Sequence, residues 1–167
     1  MNRRVNVIGV GLTPFTAFGA TSPYYALAAQ AGRLALQDAG IEFRQVEAAY
    51  AGFVYGDSIS GQRAIAELGL TGIPIINVAN HSASGSTALY LARQAIEHGI
   101  AECVLAVGFE QDLPEHCDRR WLDLQSPVAR HSRLILDRYP GETQVATQLF
   151  ASAASEYMKR YGTRAET

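Results

Sequence analysis

Apolar runs of strand length alternate along the first two thirds of the chain with stretches in which apolar residues recur at helical spacing. The runs are rich in β-branched and aromatic residues, as in strands covered on both faces, and they cover residues 4–11, 46–55, 73–78 and 103–109. The stretches with helical spacing cover residues 22–40, 64–68 and 84–98. A strand–helix alternation of this kind predicts an α/β fold with right-handed crossovers and a mostly parallel βαβαβαβ sheet covered by helices.

Local signals indicate where these elements begin and end. Ser22 and Pro23 predict an N-cap followed by a first helical residue, and Gly40 predicts the end of that helix. The stretch at 56–63 is rich in glycine and small polar residues and predicts a loop. Pro74 lacks an amide hydrogen, which favours an edge position for the third strand. An edge strand can pair with a strand of a second chain.

The pattern changes after Glu110, where a polar stretch with no sustained period extends to about residue 142. From Thr143 an apolar face returns at helical spacing and ends at Gly162. We therefore predict an α/β core over 1–110, followed over 111–167 by a loop excursion and a helix. A capping-box pattern at 163–166 is typical of the start of another helix and predicts a truncated segment, with a frayed polar tail as the alternative.

Composition and charge narrow the classes of function. The chain has 167 residues, is 48% apolar and 18% charged, and carries a formal charge of −2, which disfavours nucleic-acid binding. Its two cysteines form no CxxC motif and its four histidines no metal-ligand spacing, so we expect no disulfide framework, no metal and a reducing, cytoplasmic location. No run of the sequence predicts a membrane span.

The candidate chemistry lies in the strand, turn and helix from Ile73 to Leu91, with Ser82 at the turn. Such a turn can present a nucleophile, because the first amides of the helix point outward without internal partners. Ser82 can instead be a helix N-cap, an interpretation that we prefer. His81 is a poor candidate for its base, since the side chains of adjacent residues ordinarily point in different directions.

Three strings identify a family resemblance, namely YAGFVYGDSISGQRAIAELGLTGIPIINV, SASGSTALYLARQAIEHG and CVLAVGFE. They resemble the thiolase superfamily, and within it the sterol-carrier and lipid-transfer thiolases. The resemblance extends from about Val5 to Gly162 and is densest over residues 50–110. It implies the N-terminal half of a duplicated α/β fold, acyl-CoA thioesters as substrates without a further cofactor, and a homodimer paired through the third strand.

The resemblance also exposes a departure in the catalytic turn. Working thiolases carry a reactive cysteine where this chain has Ser82, and a serine hydroxyl is much harder to deprotonate than a thiol. The family's base histidine and second cysteine come from a C-terminal half that is absent here. We therefore expect no thiolysis from this stretch alone and favour retro-aldol carbon–carbon cleavage by the full-length protein, with an OB-fold partner. A non-catalytic binding or assembly subunit and a 3-ketoacyl-CoA thiolase-like acyltransferase are the alternatives.

The remaining site residues are assigned through the same resemblance. Arg63 and Arg133 are candidates for binding CoA phosphates, although solvated surface charge is the more common explanation of such residues. Asp57, Ser58 and Asn77 are assigned to the entrance loop and the dimer contact, while turn chemistry alone also accounts for Asp57 and Ser58.

Overall fold

The computed structural model describes residues 3–16, 22–111, 129–139 and 145–166. The chain divides into two compact units, Met1–Arg120 and Trp121–Thr167. The first unit contains the sheet and the turn with Ser82. Each unit is described by itself below.

The sheet of the first unit has three parallel strands in the order β2-β1-β3. They are β1 (Ala48–Gly52), β2 (Ile75–Val78) and β3 (Val104–Gly108). In register, Ala49 of the central strand lies beside Ile75 on one side and Leu105 on the other. The predicted parallel α/β sheet is thus confirmed. Among the described strands β2 lies at an edge, as Pro74 indicated.

Three helices cover the sheet: α1 (Tyr24–Ala39), α2 (Ser60–Ala66) and α3 (Ser84–Glu97). Ala49 and Ala51 of β1 belong to one buried cluster with Ala28 of α1 and Ile65 of α2. Successive strand residues point to opposite faces of the sheet. Helix α3 packs on the other face of β1, where its first turn contacts Gly52. Small residues line these contacts and let helix and sheet approach closely.

The predicted first strand at 4–11 is wrong. This segment is extended but has no assigned strand structure, and Val7 and Val10 are 74% and 68% exposed. It lies along α1 through Gly9 and Gly11, where an added Cβ would come within 2.3 Å and 2.1 Å of helix carbonyl oxygens. An extended segment becomes a strand only when a neighbouring backbone pairs with it, and here its contacts are with helices.

Several element boundaries also differ from the sequence-based expectations. The N-cap position of α1 is Pro23, with no side-chain cap, so Ser22 does not cap the helix. The amide of Tyr24 instead donates to Oε1 of Gln111 at 3.1 Å. The predicted loop at 56–63 contains the first turn of α2, in which Ser60 and Gly61 are buried. Gly40 ends α1 in the left-handed region at φ 67°, as predicted.

In the described residues of the second unit, two helices pack against each other, α4 (Ala129–Arg138) and α5 (Val145–Tyr161). The second was predicted from its apolar period, and Gly162 follows it with φ 67°. The first falls inside the stretch for which no periodic element was predicted. Neither helix has a buried residue. Across the part of the chain that the structure describes, no helix is long and apolar enough to cross a membrane.

Candidate active site

The turn between β2 and α3 is closed by its own hydrogen bonds. The buried Ser84 hydroxyl accepts from the Asn80 amide at 2.9 Å and donates to the His81 carbonyl oxygen at 2.7 Å. The amides of Ala83 and Ser84 donate to the carbonyls of Asn80 and His81, both at 3.0 Å. His81 has a φ of 47°, and it is the one non-glycine residue with positive φ in the described ranges. The turn therefore holds His81 in a backbone conformation that few non-glycine residues adopt.

This conformation brings together two side chains that the sequence analysis had separated. Nδ1 of His81 lies 3.0 Å from Oγ of Ser82, within hydrogen-bond distance. The expectation that the two side chains point apart is therefore wrong, because it assumed an ordinary backbone at His81. The N-cap interpretation of Ser82 is also wrong: the N-cap position of α3 is Ala83, and no side chain caps the helix.

His81 and Ser82 line a cavity of about 860 Å³ at the carboxyl ends of β1 and β3. This edge is where parallel α/β sheets bind ligands. Phe53, Phe109 and Glu110 line the same cavity. Gly52 makes the arrangement possible, since a Cβ there would lie 2.6 Å from the Ser84 carbonyl oxygen.

Two phenylalanine rings and a carboxylate form one part of the cavity wall. The ring of Phe109 stacks between those of Tyr24 and Phe53, with centroids 5.3 Å and 5.2 Å away. Glu110 accepts hydrogen bonds from the amides of Val54 at 2.8 Å and Tyr55 at 3.2 Å. The Glu110 carboxylate thus ties the loop that follows β1 to the end of β3.

Of the three residues assigned to the entrance loop and dimer contact, Asp57 and Ser58 lie together before α2, whereas Asn77 lies on β2. Asp57 lines a second cavity of about 300 Å³ that also includes Glu110. Its carboxylate accepts from the Ser58 amide at 2.6 Å, a turn bond just before α2. Asn77, on β2, accepts from the Gly61 amide at 2.9 Å and donates to Oε1 of Gln62 at 2.7 Å. The Asn77 side chain therefore joins β2 to α2.

The two arginines assigned to CoA lie on different units. Arg63 is paired with Glu67, and its guanidinium lies 4.1 Å from the centre of the Tyr25 ring. The hydrogen bond to Glu67 raises the pKa of Arg63. Arg133 is an exposed residue of α4 in the second unit. Neither observation tests a role in CoA binding.

Cysteine and metal chemistry have little support in the described residues. Burial, followed by the nearby charge of Glu47, raises the pKa of the Cys103 thiol, which lowers its thiolate fraction at neutral pH. Cys117 lies outside the described residues. Within the described ranges no group of three or more His, Cys, Asp or Glu side chains could hold a metal ion.

A comparison with models of known protein families identifies the family of this chain. The model of the thiolase N-terminal domain matches residues 5–162. The chain belongs to this thiolase family. The thiolase domain is 48% identical over 168 residues to sterol carrier protein 2 from Homo sapiens, covering 98% of this chain and 31% of the relative. It is 37% identical to non-specific lipid-transfer protein-like 2 from Caenorhabditis elegans, covering 98% of this chain and 41% of the relative.

A solved structure shares the thiolase fold. The Ltp2-ChsH2(DUF35) aldolase matches with a TM-score of 0.64 and 23% identity, over 93% of this chain and 38% of that chain. The sterol-carrier and lipid-transfer resemblance is therefore confirmed. This thiolase domain spans between about a third and two fifths of the length of the relatives named here.

Proposed function

We propose that the full-length protein cleaves a carbon–carbon bond of a CoA-linked lipid or steroid side chain by retro-aldol chemistry. The observation that carries this proposal is the hydroxyl of Ser82 in the turn that lines the cavity of about 860 Å³. By the family resemblance, a thiolase of the Cys-dependent kind would have a thiol there. Retro-aldol cleavage forms no thioester on the enzyme, so it tolerates this replacement.

The relatives support the same class of substrate. They include sterol carrier protein 2 and non-specific lipid-transfer protein-like 2, and the Ltp2-ChsH2(DUF35) aldolase has the same fold. In a retro-aldol step a base removes the proton of a β-hydroxyl group, the bond between the α and β carbons breaks, and the enolate of the thioester takes up a proton. The products are a carbonyl compound and a shorter acyl-CoA. Such a step needs a base and donors that stabilise the enolate oxygen.

The proposal extends to partners and location. A homodimer would form through the open edge of β2, and an OB-fold protein would be a further partner; the Ltp2-ChsH2(DUF35) aldolase likewise combines two named components. Arg133 would meet CoA phosphates, whereas Arg63 would first have to leave Glu67. Asp57, Ser58 and Asn77 would lie near the entrance and the dimer contact. The location would be cytoplasmic.

The test is an assay of the full-length protein with a β-hydroxyacyl-CoA, with and without an OB-fold partner. We expect equal amounts of a carbonyl compound and a shorter acyl-CoA, formed without added free CoA. Thiolysis differs because it consumes free CoA. A protein that leaves the β-hydroxyacyl-CoA intact but cleaves a 3-ketoacyl-CoA when free CoA is added would reject the retro-aldol proposal in favour of acyl transfer. No turnover of any CoA ester would favour a binding subunit.

A further inference from the structure

Few side chains of the cavity of about 860 Å³ can take up a proton near neutral pH. Among its lining residues in the described part of the chain, only His81 and Glu110 have a basic or acidic side chain. The Glu110 carboxylate already accepts from the amides of Val54 and Tyr55 at 2.8 Å and 3.2 Å. An imidazole is also a stronger base than a carboxylate. His81 is therefore the better candidate for a base in this cavity.

The backbone of the turn holds His81 in a conformation that costs free energy. Its φ of 47° is positive, which a non-glycine residue adopts only when its surroundings impose it. The buried Ser84 hydroxyl does so, because it bonds the Asn80 amide at 2.9 Å and the His81 carbonyl oxygen at 2.7 Å. Backbone strain of this kind concentrates at functional sites. The strain at His81 thus points to a function of its side chain.

The contact with Ser82 provides a way to fix the tautomer of the His81 ring. Nδ1 lies 3.0 Å from Oγ of Ser82. When Nδ1 carries the proton and donates it to Oγ, Nε2 is left unprotonated and acts as the base. Nε2 has no hydrogen-bond partner among the described residues. The side chain is exposed and lines the cavity, so a substrate can reach it.

We propose that His81 is the general base of the retro-aldol step and that Ser82 positions its ring. Nε2 takes the proton of the β-hydroxyl group, and the bond between the α and β carbons breaks. The electron pair of that bond passes to the thioester as an enolate, and the β carbon leaves in a carbonyl compound. The imidazolium then returns its proton to the α carbon, which gives the shorter acyl-CoA. Ser82 forms no covalent bond in this step.

This assignment rests on the proposed retro-aldol function and places its base in the first unit. A second histidine of the same unit provides a matched control. His98 is also exposed, but it follows α3 at the end opposite the turn, and its Nδ1 lies 2.9 Å from the Gln94 carbonyl oxygen. It lines neither of the two cavities described above.

The test compares His81→Gly with His98→Gly in the full-length protein. Each protein is incubated with a β-hydroxyacyl-CoA, and the carbonyl product is measured over time. We expect His81→Gly to lower kcat about 100-fold or more, since general-base catalysis contributes about 10²–10⁴-fold, and His98→Gly to leave kcat unchanged. Glycine adopts positive φ readily, so His81→Gly removes the ring while keeping the turn.

Two further observations separate a chemical role of His81 from a structural one. Added imidazole should restore cleavage by His81→Gly, because it replaces the missing base, which a merely distorted turn would not allow. His81→Asn should be slowed as much as His81→Gly, since asparagine also tolerates positive φ but is no base. Circular dichroism checks that each variant folds.

The role of Ser82 is tested without turnover. The nitrogen chemical shifts of the His81 ring, assigned by their loss in His81→Gly, distinguish a protonated nitrogen from an unprotonated one. We expect the neutral ring to carry its proton on Nδ1, and Ser82→Ala to lose this preference. A neutral ring with its proton on Nε2 in the unchanged protein would overturn the positioning role of Ser82.

The kinetic outcomes distinguish the role of His81 from the retro-aldol function itself. Cleavage that His81→Gly does not slow, or slowed cleavage that imidazole does not restore, would overturn the role of His81 and leave the retro-aldol function in place. No cleavage by the unchanged full-length protein would reject the retro-aldol function and, with it, the role of His81.

Discussion

Gly61 occupies a place in α2 where no larger side chain fits. Its amide donates to Oδ1 of Asn77 at 2.9 Å, and an added Cβ would lie 2.2 Å from that oxygen and 2.7 Å from Cβ of Ala51. We predict that Gly61→Ala lowers the free energy of unfolding by about 1–3 kcal/mol, the usual cost of overpacking a core. Without this close contact, Gly61→Ala would raise the free energy of unfolding, because alanine favours helices by about 1 kcal/mol over glycine. A decrease therefore indicates that the added Cβ meets Asn77 and Ala51. Urea unfolding measures it.

Gly85 provides the matched control, because it lies in α3 and an added Cβ would meet nothing within 4 Å. Gly85→Ala should leave the free energy of unfolding unchanged or raise it by up to about 1 kcal/mol. If both variants are equally stable, Asn77 does not join β2 to α2 in the way described.

The turn at 80–84 marks the limit of sequence reasoning at the scale of single residues. The strand, turn and helix around Ser82 were predictable from the apolar periods and the small polar residues between them. The contact between His81 and Ser82 was not, because it requires a φ of 47° that the identity of His81 does not dictate. The one available signal was Ser84, whose hydroxyl can bond backbone groups three and four residues earlier.

Among the elements, the segment at 3–16 shows that composition alone does not make a strand. Its apolar, β-branched residues are those of a buried strand, yet Val7 and Val10 are exposed. Gly9 and Gly11 were assigned to the predicted strand at 4–11, whereas they provide the close approach to α1. The strands β1, β2 and β3 were predictable because their neighbours are also apolar runs of the same unit.

Glu110 joins two elements through backbone amides of the loop after β1. Removing its carboxylate should free the amides of Val54 and Tyr55 from their bonds at 2.8 Å and 3.2 Å. Hydrogen bonds to charged groups contribute about 1.5–3 kcal/mol when protected from water, and less at this exposed residue. We predict that Glu110→Ala speeds amide hydrogen exchange at Val54 about tenfold.

The control for this prediction is Glu102→Ala. Glu102 is also exposed, and its side chain pairs with Arg3, so the variant removes the same charge without touching the loop. Exchange at Val54 should then stay at its original rate. Equal acceleration in both variants would mean that net charge, and not the bonds of Glu110, governs the loop.

For the whole molecule, the parallel α/β order of the first unit was predictable and the helix α4 of the second was not. The strands and helices of the first unit bury one another, so their apolar periods are strong. Helices α4 and α5 have no buried residues, and α4 combines four charged residues with four apolar ones over Ala129–Arg138. Three of the apolar residues, Leu134 to Leu136, are consecutive and therefore do not repeat at helical spacing.

The edge strand β2 allows the proposed homodimer to be tested through the backbone. The carbonyls of Pro74 and Val78 accept from the amides of Ala49 and Phe53 at 2.9 Å and 3.3 Å. In a parallel ladder alternate residues bond to opposite sides, so the backbone groups of Ile75 face away from β1. Its carbonyl accordingly accepts from the Gln62 side chain at 3.3 Å. A partner strand added at this edge would receive the Ile75 amide hydrogen.

We predict that Ile75→Pro converts the proposed dimer to a monomer while the monomer stays folded, because proline is tolerated where the lost amide faces outward. Light scattering after size-exclusion chromatography measures the mass, and circular dichroism checks the fold. Ile76→Pro is the matched variant, since the amide of Ile76 faces β1, and its loss should destabilise the sheet itself by about 1–3 kcal/mol, because it leaves a carbonyl of β1 without its partner. A monomeric unchanged protein, or a folded Ile75→Pro variant that still dimerises, would contradict pairing through β2. The two variants thus distinguish the side of β2 that would pair with a second chain from the side that pairs with β1.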